Sequence, residues 1–503
     1  EQWDNICKLS GTFDSMSKED KIYNAPWFAW AYYHAKDLEK MQYYLDIVPL
    51  KERKNRDYLF FRTIYLIASH KYSEAQSNIE NGFELLTDNL AVFNGSDANE
   101  ASKRMVFAQH LIELNEALEM NQNNIVEAPE IWQNRLRNFS HDSDAWMKLL
   151  EIRSLVMSPA DHSESYLKML SVLRKERRWK LIDVYCERFF SNTPSPAVLL
   201  VKLKILWSRG SKPRAVSILR SINQILQSRT LDEFKEIYLS IPQEDVKFIQ
   251  SSIGKSAASG SGLQNRPIEE IYIQMQKTFG KIDQKFFGRL IRIQANWQYR
   301  LYTSKTSPAS TLIDISQLFE QSNKLVSNDY RTWAGWAYTS SRALSHFSDL
   351  RSRFTVNAIS GFLKATQLRP SESLEYLCQM FSIFFRYGEE IDLPLNIKKD
   401  IVSLPANIIN QIIPQIVVHI SHKDKNVREV VQAIISNFGS KHFQAVVFAL
   451  NVLSLLGNGE ISSISSAMIE EHGSKCPKTY SDSRLFIDGM HRSAVSLKEQ
   501  WIT

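Results

Sequence analysis

Three histidines near the C-terminal end have the residue type of metal ligands, and two of them have a suitable spacing. His419 and His422 are three residues apart, and His442 follows further along. On a helix, a separation of three places two imidazoles on one side. Zinc sites usually need three or four ligands, and no carboxylate or thiol lies at a supporting spacing in the apolar segment before these histidines. The pattern therefore favours histidines at the surface or at helix ends.

A Gly-Lys-Ser tripeptide at residues 254–256 suggests a different chemistry, the binding of nucleotide phosphates. A P-loop also requires a glycine five residues earlier, after a β-strand. Ile249 occupies that position, and the residues before it do not alternate as a strand does. The sequence also contains no signature of a nucleophilic serine, a metalloprotease helix, paired catalytic carboxylates or a protein-kinase catalytic loop. We therefore expect no active site within residues 1–503.

Basic side chains are concentrated in residues 173–181 and 202–214, where they could bind an anion. Neighbouring helical hairpins would bring the two stretches together, and a multivalent anion would fit between them. On this basis the candidate anion-binding residues are Lys168, Arg174, Lys175, Arg178, Lys202 and Lys204. A solvated charged surface is the simpler explanation of the same residues. Both interpretations stay open at this point.

The overall composition excludes some classes of protein. The net charge of +6, from 61 basic and 55 acidic residues, is mild for 503 residues and does not indicate a direct nucleic-acid binder. The four cysteines are far apart and form no CxxC pair, which favours reduced thiols in the cytoplasm. No apolar run reaches the length of about 18 residues that a transmembrane helix needs. The chain starts with Glu1, so we expect a piece of a longer protein.

Apolar residues recur at spacings of three and four along most of the chain, which predicts an all-α fold. Helical hairpins are predicted at residues 58–86, 165–190 and 197–226, the last with a break at Gly210. The Tyr72-x-x-Ala75 entry into the second helix of the first hairpin resembles tetratricopeptide repeats. Such hairpins bury their apolar faces only against one another, so they are expected to stack into an α-solenoid.

Composition changes divide this solenoid into parts. We expect a tetratricopeptide-like part at 1–250, a Ser- and Gly-rich linker at 251–267, and a second helical part, HEAT-like, at 268–471. A loop at 472–483 would then separate the last helical segment, 484–503, from the rest.

Two stretches of the second part predict specific packing. Trp333 and Trp336 are three residues apart among small residues, so we expect both to be largely buried. In residues 412–450, Pro414 should lie early in a helix, and Gly439 should end one in a left-handed conformation. The candidates for contacts between helices in this stretch are Ile416, Val427, Val430, Ile434, Val446 and Leu450.

Several stretches, in order, resemble the FAT domain of target-of-rapamycin (TOR) protein kinases. "RTWAGWAYTSS" (331–341), "NAISGFLKATQL" (357–368) and "LCQMFSIFFRYGE" (377–389) resemble three consecutive helices of that domain. Residues 413–415 resemble the family's Ile-Pro-Gln. Residues 442–445 resemble its His-Pro-Gln-Ala, with Phe443 in place of proline, which indicates a divergent member. Residues 488–503 are similar to the first helix of the rapamycin-binding domain, with Leu497 in place of its first tryptophan.

This resemblance implies a function. The chain would be a scaffold segment that clamps the kinase domain of its own parent protein and offers surface to the scaffold subunits of a TOR complex in growth and nutrient signalling. The parent would use ATP and Mg²⁺, whereas this segment would need no cofactor of its own. Relatives carry a basic pocket for an inositol polyphosphate in this region. A cytoplasmic location is implied, with peripheral endomembrane or nuclear sites as variants.

Two alternatives stay open. The chain could be a stand-alone adaptor whose tetratricopeptide-like surface binds peptides, or it could be the FAT segment of a family member that has lost catalysis. The resemblance implies nothing about substrates, and the residues that contact the drug in relatives would come after Thr503.

Overall fold

Every regular element of the described residues is a helix, as the spacing of apolar side chains predicts. The structure is a computed structural model that describes residues 3–502 except 89–97, 124, 126–129, 137–141, 159–162, 191–194, 254–267, 281, 304, 306, 391–392 and 457–458. Within those residues there are 28 α-helices and no β-strand. The prediction of an all-α fold is therefore confirmed. No described helix has both the length and the apolar character that a membrane span requires.

The helices fall into two compact units, which are described separately. Unit 1 consists of Glu1–Gly210 and Leu239–Gly280, and unit 2 consists of Ser211–Tyr238 and Lys281–Thr503. The helices of unit 1 are α1 (Trp3–Lys8), α2 (Ser10–Phe13), α3 (Lys18–His34), α4 (Leu38–Ile47), α5 (Arg56–Ala68), α6 (Tyr72–Asp88), α7 (Ala98–Gln122), α8 (Glu130–Arg135), α9 (Ser143–Ser154), α10 (Ser163–Lys175), α11 (Trp179–Phe190), α12 (Pro196–Ser208), α15 (Gln243–Ile253) and α16 (Ile268–Phe279).

The helices of unit 2 are α13 (Lys212–Gln227), α14 (Leu231–Leu239), α17 (Gln284–Leu301), α18 (Ser310–Leu325), α19 (Tyr330–Ala343), α20 (Arg351–Leu368), α21 (Ser373–Tyr387), α22 (Leu395–Val402), α23 (Ala406–Ile409), α24 (Ile413–Val417), α25 (Lys425–Gly439), α26 (Phe443–Leu456), α27 (Gly459–Gly473) and α28 (Pro477–Ile502). In both units most contacts join helices that are one or two apart in the chain, as in a solenoid. The predicted helices on both sides of the turns at residues 70, 177 and 210 are all present.

One turn geometry recurs where a helix ends and the next begins. Between α5 and α6, the N–H of His70 donates to the carbonyl of Ile67, and the N–H of Lys71 donates to the carbonyl of Leu66. This pair of bonds around a left-handed residue is the Schellman motif, which satisfies carbonyls left over at a helix end. Left-handed backbone occurs among the described residues at Lys36, His70, Arg177 and Gly210.

The register after these turns is constant. In each case the next helix begins two residues after the left-handed residue. A buried apolar residue then lies five positions after the left-handed one, at Met41, Ala75, Ile182 and Ala215. The Tyr72-to-Ala75 spacing in the sequence is one instance of this register. Gly210 alone takes the left-handed conformation without steric cost, because it has no Cβ.

The centre of unit 1 contains a buried ion pair. The Arg153 guanidinium of α9 makes two hydrogen bonds of 3.0 Å to the two carboxylate oxygens of Glu113 on α7. The side chains are 2% and 0% exposed. Arg153 also donates to the Trp132 carbonyl of α8 at 3.1 Å and to the Ser165 hydroxyl of α10 at 3.2 Å. One guanidinium therefore connects four helices, and each of its three nitrogen atoms donates to a protein acceptor.

In unit 2 the prediction for the two tryptophans of α19 is corrected. Trp333 and Trp336 are half-buried rather than largely buried. The small residues beside them make the close contact: Ala337 is fully buried, and a Cβ on Gly335 would lie 2.5 Å from the Phe319 ring of α18. The helices therefore approach each other along the small residues, and the large rings are left at the edge of the core.

Hydrogen bonds explain why the two indoles stay at that edge. The indole N–H of Trp333 donates to the Ser327 carbonyl at 2.7 Å, and that of Trp336 donates to the Ser316 hydroxyl at 3.1 Å. Tryptophan takes such positions because its ring is apolar but its N–H needs an acceptor. The two rings contact each other edge to face, with centroids 5.8 Å apart.

The predictions for residues 412–450 are confirmed in part. Pro414 lies in the first turn of α24, and all six predicted packing residues are buried. The prediction for Gly439 is right about the helix end and wrong about the conformation, since α25 ends at Gly439 but Gly439 is not left-handed. A Cβ on Gly439 would lie 3.3 Å from side-chain atoms of Val446 and His472, so this glycine permits close packing of α26 and α27.

The histidines of this stretch lie at helix ends and near aromatic rings. The His419 ring stacks on Phe385 with centroids 3.7 Å apart. Burial, and to a smaller extent the nearby His422, lowers the pKa of His419. Within the described part of the chain, no three potential metal ligands come together.

The structure tests only one of the two predicted loops in full. Residues 254–267 of the predicted linker, including the Gly-Lys-Ser tripeptide, lie outside the described residues, and residues 251–253 are the last turn of α15. The predicted loop at 472–483 is wrong, because only residues 474–476 separate α27 from α28. Proline is well tolerated at the first position of a helix, and Pro477 begins α28 there. The predicted domain boundaries stay predictions.

The left-handed turns allow a stability test. Lys36→Gly should raise the free energy of unfolding of unit 1 by about 0.5–1 kcal/mol, because glycine relieves the strain at a φ of 61°. Urea denaturation measures the change. A matched control is Lys103→Gly, an exposed lysine inside α7, which should cost about 1 kcal/mol. Equal destabilisation by both substitutions would contradict the assigned backbone conformation.

The buried ion pair allows a second test. Arg153→Met should destabilise unit 1 by about 3–5 kcal/mol, because the buried Glu113 carboxylate loses both short hydrogen bonds and keeps only Arg135 at 3.9 Å as a cationic neighbour. Adding Glu113→Leu to Arg153→Met removes that charge and should recover part of the loss. The measurement is a double-mutant cycle by urea denaturation. Strictly additive costs would show that the two side chains do not depend on each other.

Candidate anion-binding surface on α10 to α12

The six candidate cations lie on two helices that pack together, and on the turn between α10 and α11. Lys168, Arg174 and Lys175 belong to α10, and Lys202 and Lys204 belong to α12. The apolar face of α10 is buried in the core of unit 1, so its charged residues take the remaining positions. Because α10 packs against α12, the fold brings the two basic stretches into one region, as the sequence predicts.

The candidate lysines nevertheless lie on different faces of their helices. Lys168 and Lys175 are seven residues apart and share a face of α10, whereas Lys202 and Lys204 are two apart and point to different sides of α12. Lys175 is exposed, and the other three are half-buried. The candidate lysines therefore start from different sides of their helices, and an anion that contacts all of them would need their side chains to converge.

Arg174 connects α10 to the end of α12. Its guanidinium donates to the Ser208 hydroxyl at 3.0 Å. Burial lowers the pKa of Arg174, and burial also lowers the pKa of Lys202. Lys202 lies near the Cys186 thiol of α11, whose own pKa is raised by burial to about 11. Partly desolvated cations of this kind gain more from an anion than solvated ones do.

Arg178 is held on the other side of the turn. Its guanidinium pairs with Asp144 at the start of α9 at 2.8 Å and with Glu176 at 3.2 Å. The left-handed Arg177 sets this direction by closing the Schellman turn just before Arg178. Two carboxylates balance the charge of Arg178, so its structural role is to tie the turn to α9. Of the six candidates, Arg174 and Lys202 have the most suitable surroundings for an anion.

The family of the chain follows from a comparison with known protein families. A profile of the FAT domain matches residues 24–382, most of the chain. The chain belongs to the FAT domain family. Its resemblance to that domain, proposed from the tryptophan-rich helix and the stretches after it, is confirmed.

Curated relatives of this FAT domain chain are TOR kinases. It is 23% identical to the serine/threonine-protein kinase tor1 of Schizosaccharomyces pombe over 99% of its own length and 21% of the relative. It is 25% identical to the serine/threonine-protein kinase TOR of Arabidopsis thaliana over 78% of the chain and 16% of the relative, and 21% identical to mTor of Drosophila melanogaster over 97% and 20%. The chain therefore spans about a fifth of the length of these relatives.

A second group of cations, in unit 2 of this FAT domain, was missed from the sequence. Arg292 of α17 is buried and pairs with Asp329 at 2.9 Å. Burial lowers the pKa of Arg292. The carboxylate of Asp329 opposes this shift, whereas the positive charges of Arg331 and Arg289 lower the pKa further. Arg289 and Arg292 are three residues apart in the sequence, but only the fold adds Arg331 from α19. The spacing alone gave no reason to connect them.

Anion binding by this FAT domain stays a prediction, and it can be tested at both cation groups. Inositol hexakisphosphate should raise the melting temperature, because a ligand that binds the folded state stabilises it. The gain should shrink as salt rises, since the attraction is between charges. The Lys175→Ala, Lys202→Ala double variant should lose the gain and keep its ligand-free melting temperature.

The variant Arg289→Ala with Arg331→Ala serves as the comparison, because it removes cations of unit 2 instead. Loss of the gain only in this second variant would contradict the site on α10 to α12 and place the anion in unit 2. If millimolar ligand at low salt leaves the melting curve of the unsubstituted protein unchanged, the cations of α10 to α12 form a solvated surface.

Proposed function

We propose that this FAT segment is the scaffold part of a TOR-like serine/threonine protein kinase. In this proposal it positions the kinase domain of its own parent protein and offers surface to other subunits of the complex. The observation that carries the proposal is the match to TOR kinases along 97–99% of the chain in two of the relatives. The parent protein would use ATP and Mg²⁺ in the cytoplasm, with signalling of growth or nutrient state as its context.

The packing supports a mechanical role. A scaffold that biases the conformation of another domain must transmit force without deforming, and stacked helices with specific cores do so. Unit 1 has the buried Arg153–Glu113 pair at its centre, and unit 2 has tightly fitted helices at Gly335. Both features resist the sliding of one helix along the next.

Unit 1 also offers a surface that supports the binding of a subunit. A cavity of about 520 Å³ is walled by aromatic rings, among them Trp27, Trp30 and Phe61, with charged residues of both signs at its margin. Trp27 is 40% exposed although it is a large apolar residue. Aromatic pockets with a polar rim are typical of places where one anchoring side chain of a partner binds.

The proposal is tested first by sequencing the locus downstream of the codon for Thr503. It should encode a kinase domain of ordinary size, roughly 250–300 residues. The purified parent should then transfer phosphate from Mg-ATP to a generic serine/threonine substrate. A kinase domain that lacks its catalytic and Mg-binding aspartates would favour a scaffold without catalysis. Absence of a kinase domain would overturn the proposal and favour the stand-alone adaptor.

A further inference from the structure

A cleft in unit 2 is lined mainly by carboxamide side chains. It lies between α13, α17 and α18, has a volume of about 360 Å³, and is lined by twelve described residues, seven of which are asparagine or glutamine. The number of amides is unusual for a groove between helices, where apolar contacts normally dominate. None of these twelve residues is used by the anion surface or by the aromatic cavity of unit 1.

The floor of the cleft contains an acceptor without a partner. Asn223 of α13 is 4% exposed, and its side-chain N–H donates to the Gln294 carbonyl oxygen of α17 at 2.6 Å. The side-chain oxygen of Asn223 is buried and accepts no hydrogen bond. A buried unpaired acceptor costs free energy in the empty protein, and a ligand N–H that reaches the floor would recover it.

The amides are arranged in rows. Gln294 and Gln298 are four residues apart on α17, and Gln317 and Gln321 are four apart on α18. Four residues of helix rise about 6 Å, and two residues of an extended peptide span about 6.6–6.8 Å. Each carboxamide offers both a donor and an acceptor. The rows therefore match the repeat of N–H and C=O groups along one edge of an extended main chain.

The other lining residues exclude competing ligands. No aromatic ring lies among the twelve described lining residues, so the cleft lacks the stacking surface on which nucleobases bind. Arg220 and Asp314 at the rim are one cation and one carboxylate, so the cleft does not favour a phosphate or another multivalent anion. The chemistry that remains is neutral, with alternating donors and acceptors.

We propose that this amide cleft binds an uncharged, extended segment of a partner polypeptide through its main chain. The segment lies along Gln298 of α17 and the exposed Gln317 and Gln321 of α18, and one of its N–H groups donates to the Asn223 side-chain oxygen when that buried amide turns towards the cleft. Recognition through the main chain gives affinity with little demand on side chains. The proposal does not depend on a kinase domain in the parent protein, so either can fail without the other.

The test uses an acetylated and amidated pentapeptide of alternating serine and alanine, added to the purified protein and followed by saturation-transfer NMR. Saturable binding in the millimolar range is expected. The same peptide methylated at every amide nitrogen lacks its donors and should not bind. Gln317→Ala with Gln321→Ala, both exposed on α18, should weaken binding about tenfold or more with no change in melting temperature.

The matched control is Gln367→Ala with Gln379→Ala, which removes two exposed glutamines of α20 and α21 outside the cleft. This variant should bind the peptide as tightly as the unsubstituted protein does. Equal binding of the methylated peptide, equal loss in the control variant, or no binding at millimolar peptide would overturn the proposal. Displacement of the bound peptide by uridine or glucose would also overturn it, because the cleft would then be a small-molecule site.

Discussion

The burial of one charge pair constrains the arrangement of unit 1. A guanidinium and a carboxylate removed from water are stable only when every donor and acceptor is paired. Arg153 places four of its five N–H groups on Glu113, the Trp132 carbonyl and the Ser165 hydroxyl, which couples the positions of α7, α8, α9 and α10. The position of α10 in turn determines where the candidate anion-binding residues lie. The Asp144–Arg178 pair then ties the turn after α10 to the start of α9.

Unit 2 achieves its fit by a different route. Its helices approach each other where side chains are small, and the ring of Phe319 occupies the space that a Cβ on Gly335 would need. Packing of this kind depends on shape and tolerates little change in volume. Close steric fit of this kind adds to charge pairing, which unit 2 also contains in the Arg292–Asp329 pair.

Polar groups beside the cores are the candidate binding sites of both units. In unit 1 these are partly desolvated cations, Arg174 and Lys202, and an aromatic cavity with charged margins. In unit 2 they are the arginines around Arg292 and the amides around Asn223. A solenoid of stacked helices displays such polar groups, since each helix exposes one face while its other face is buried.

Much of the local structure could be read from the sequence. Apolar spacing was enough for the helices, and the Tyr72-to-Ala75 spacing reflects the register that follows each Schellman turn. Pro414 could be placed in a first helical turn because its ring fixes φ and removes a donor. Family membership could be proposed from the ordered motifs around Trp333. Gly439 could not be interpreted correctly, because a glycine that frees the backbone and one that admits a neighbouring helix look alike in a sequence.

The tertiary structure decided which distant residues meet. Glu113 and Arg153 are 40 positions apart, and neither has a sequence neighbour that marks it as buried. Asn223 and Gln294 are 71 positions apart, and their helices are separated by three others in the chain. The six cations were assigned together by their density, but the fold directs Arg174 towards α12 and Arg178 towards α9. Sequence patterns record the period of each helix, whereas the pairing of faces depends on side-chain shape and on the need to satisfy buried polar groups, which only the folded chain resolves.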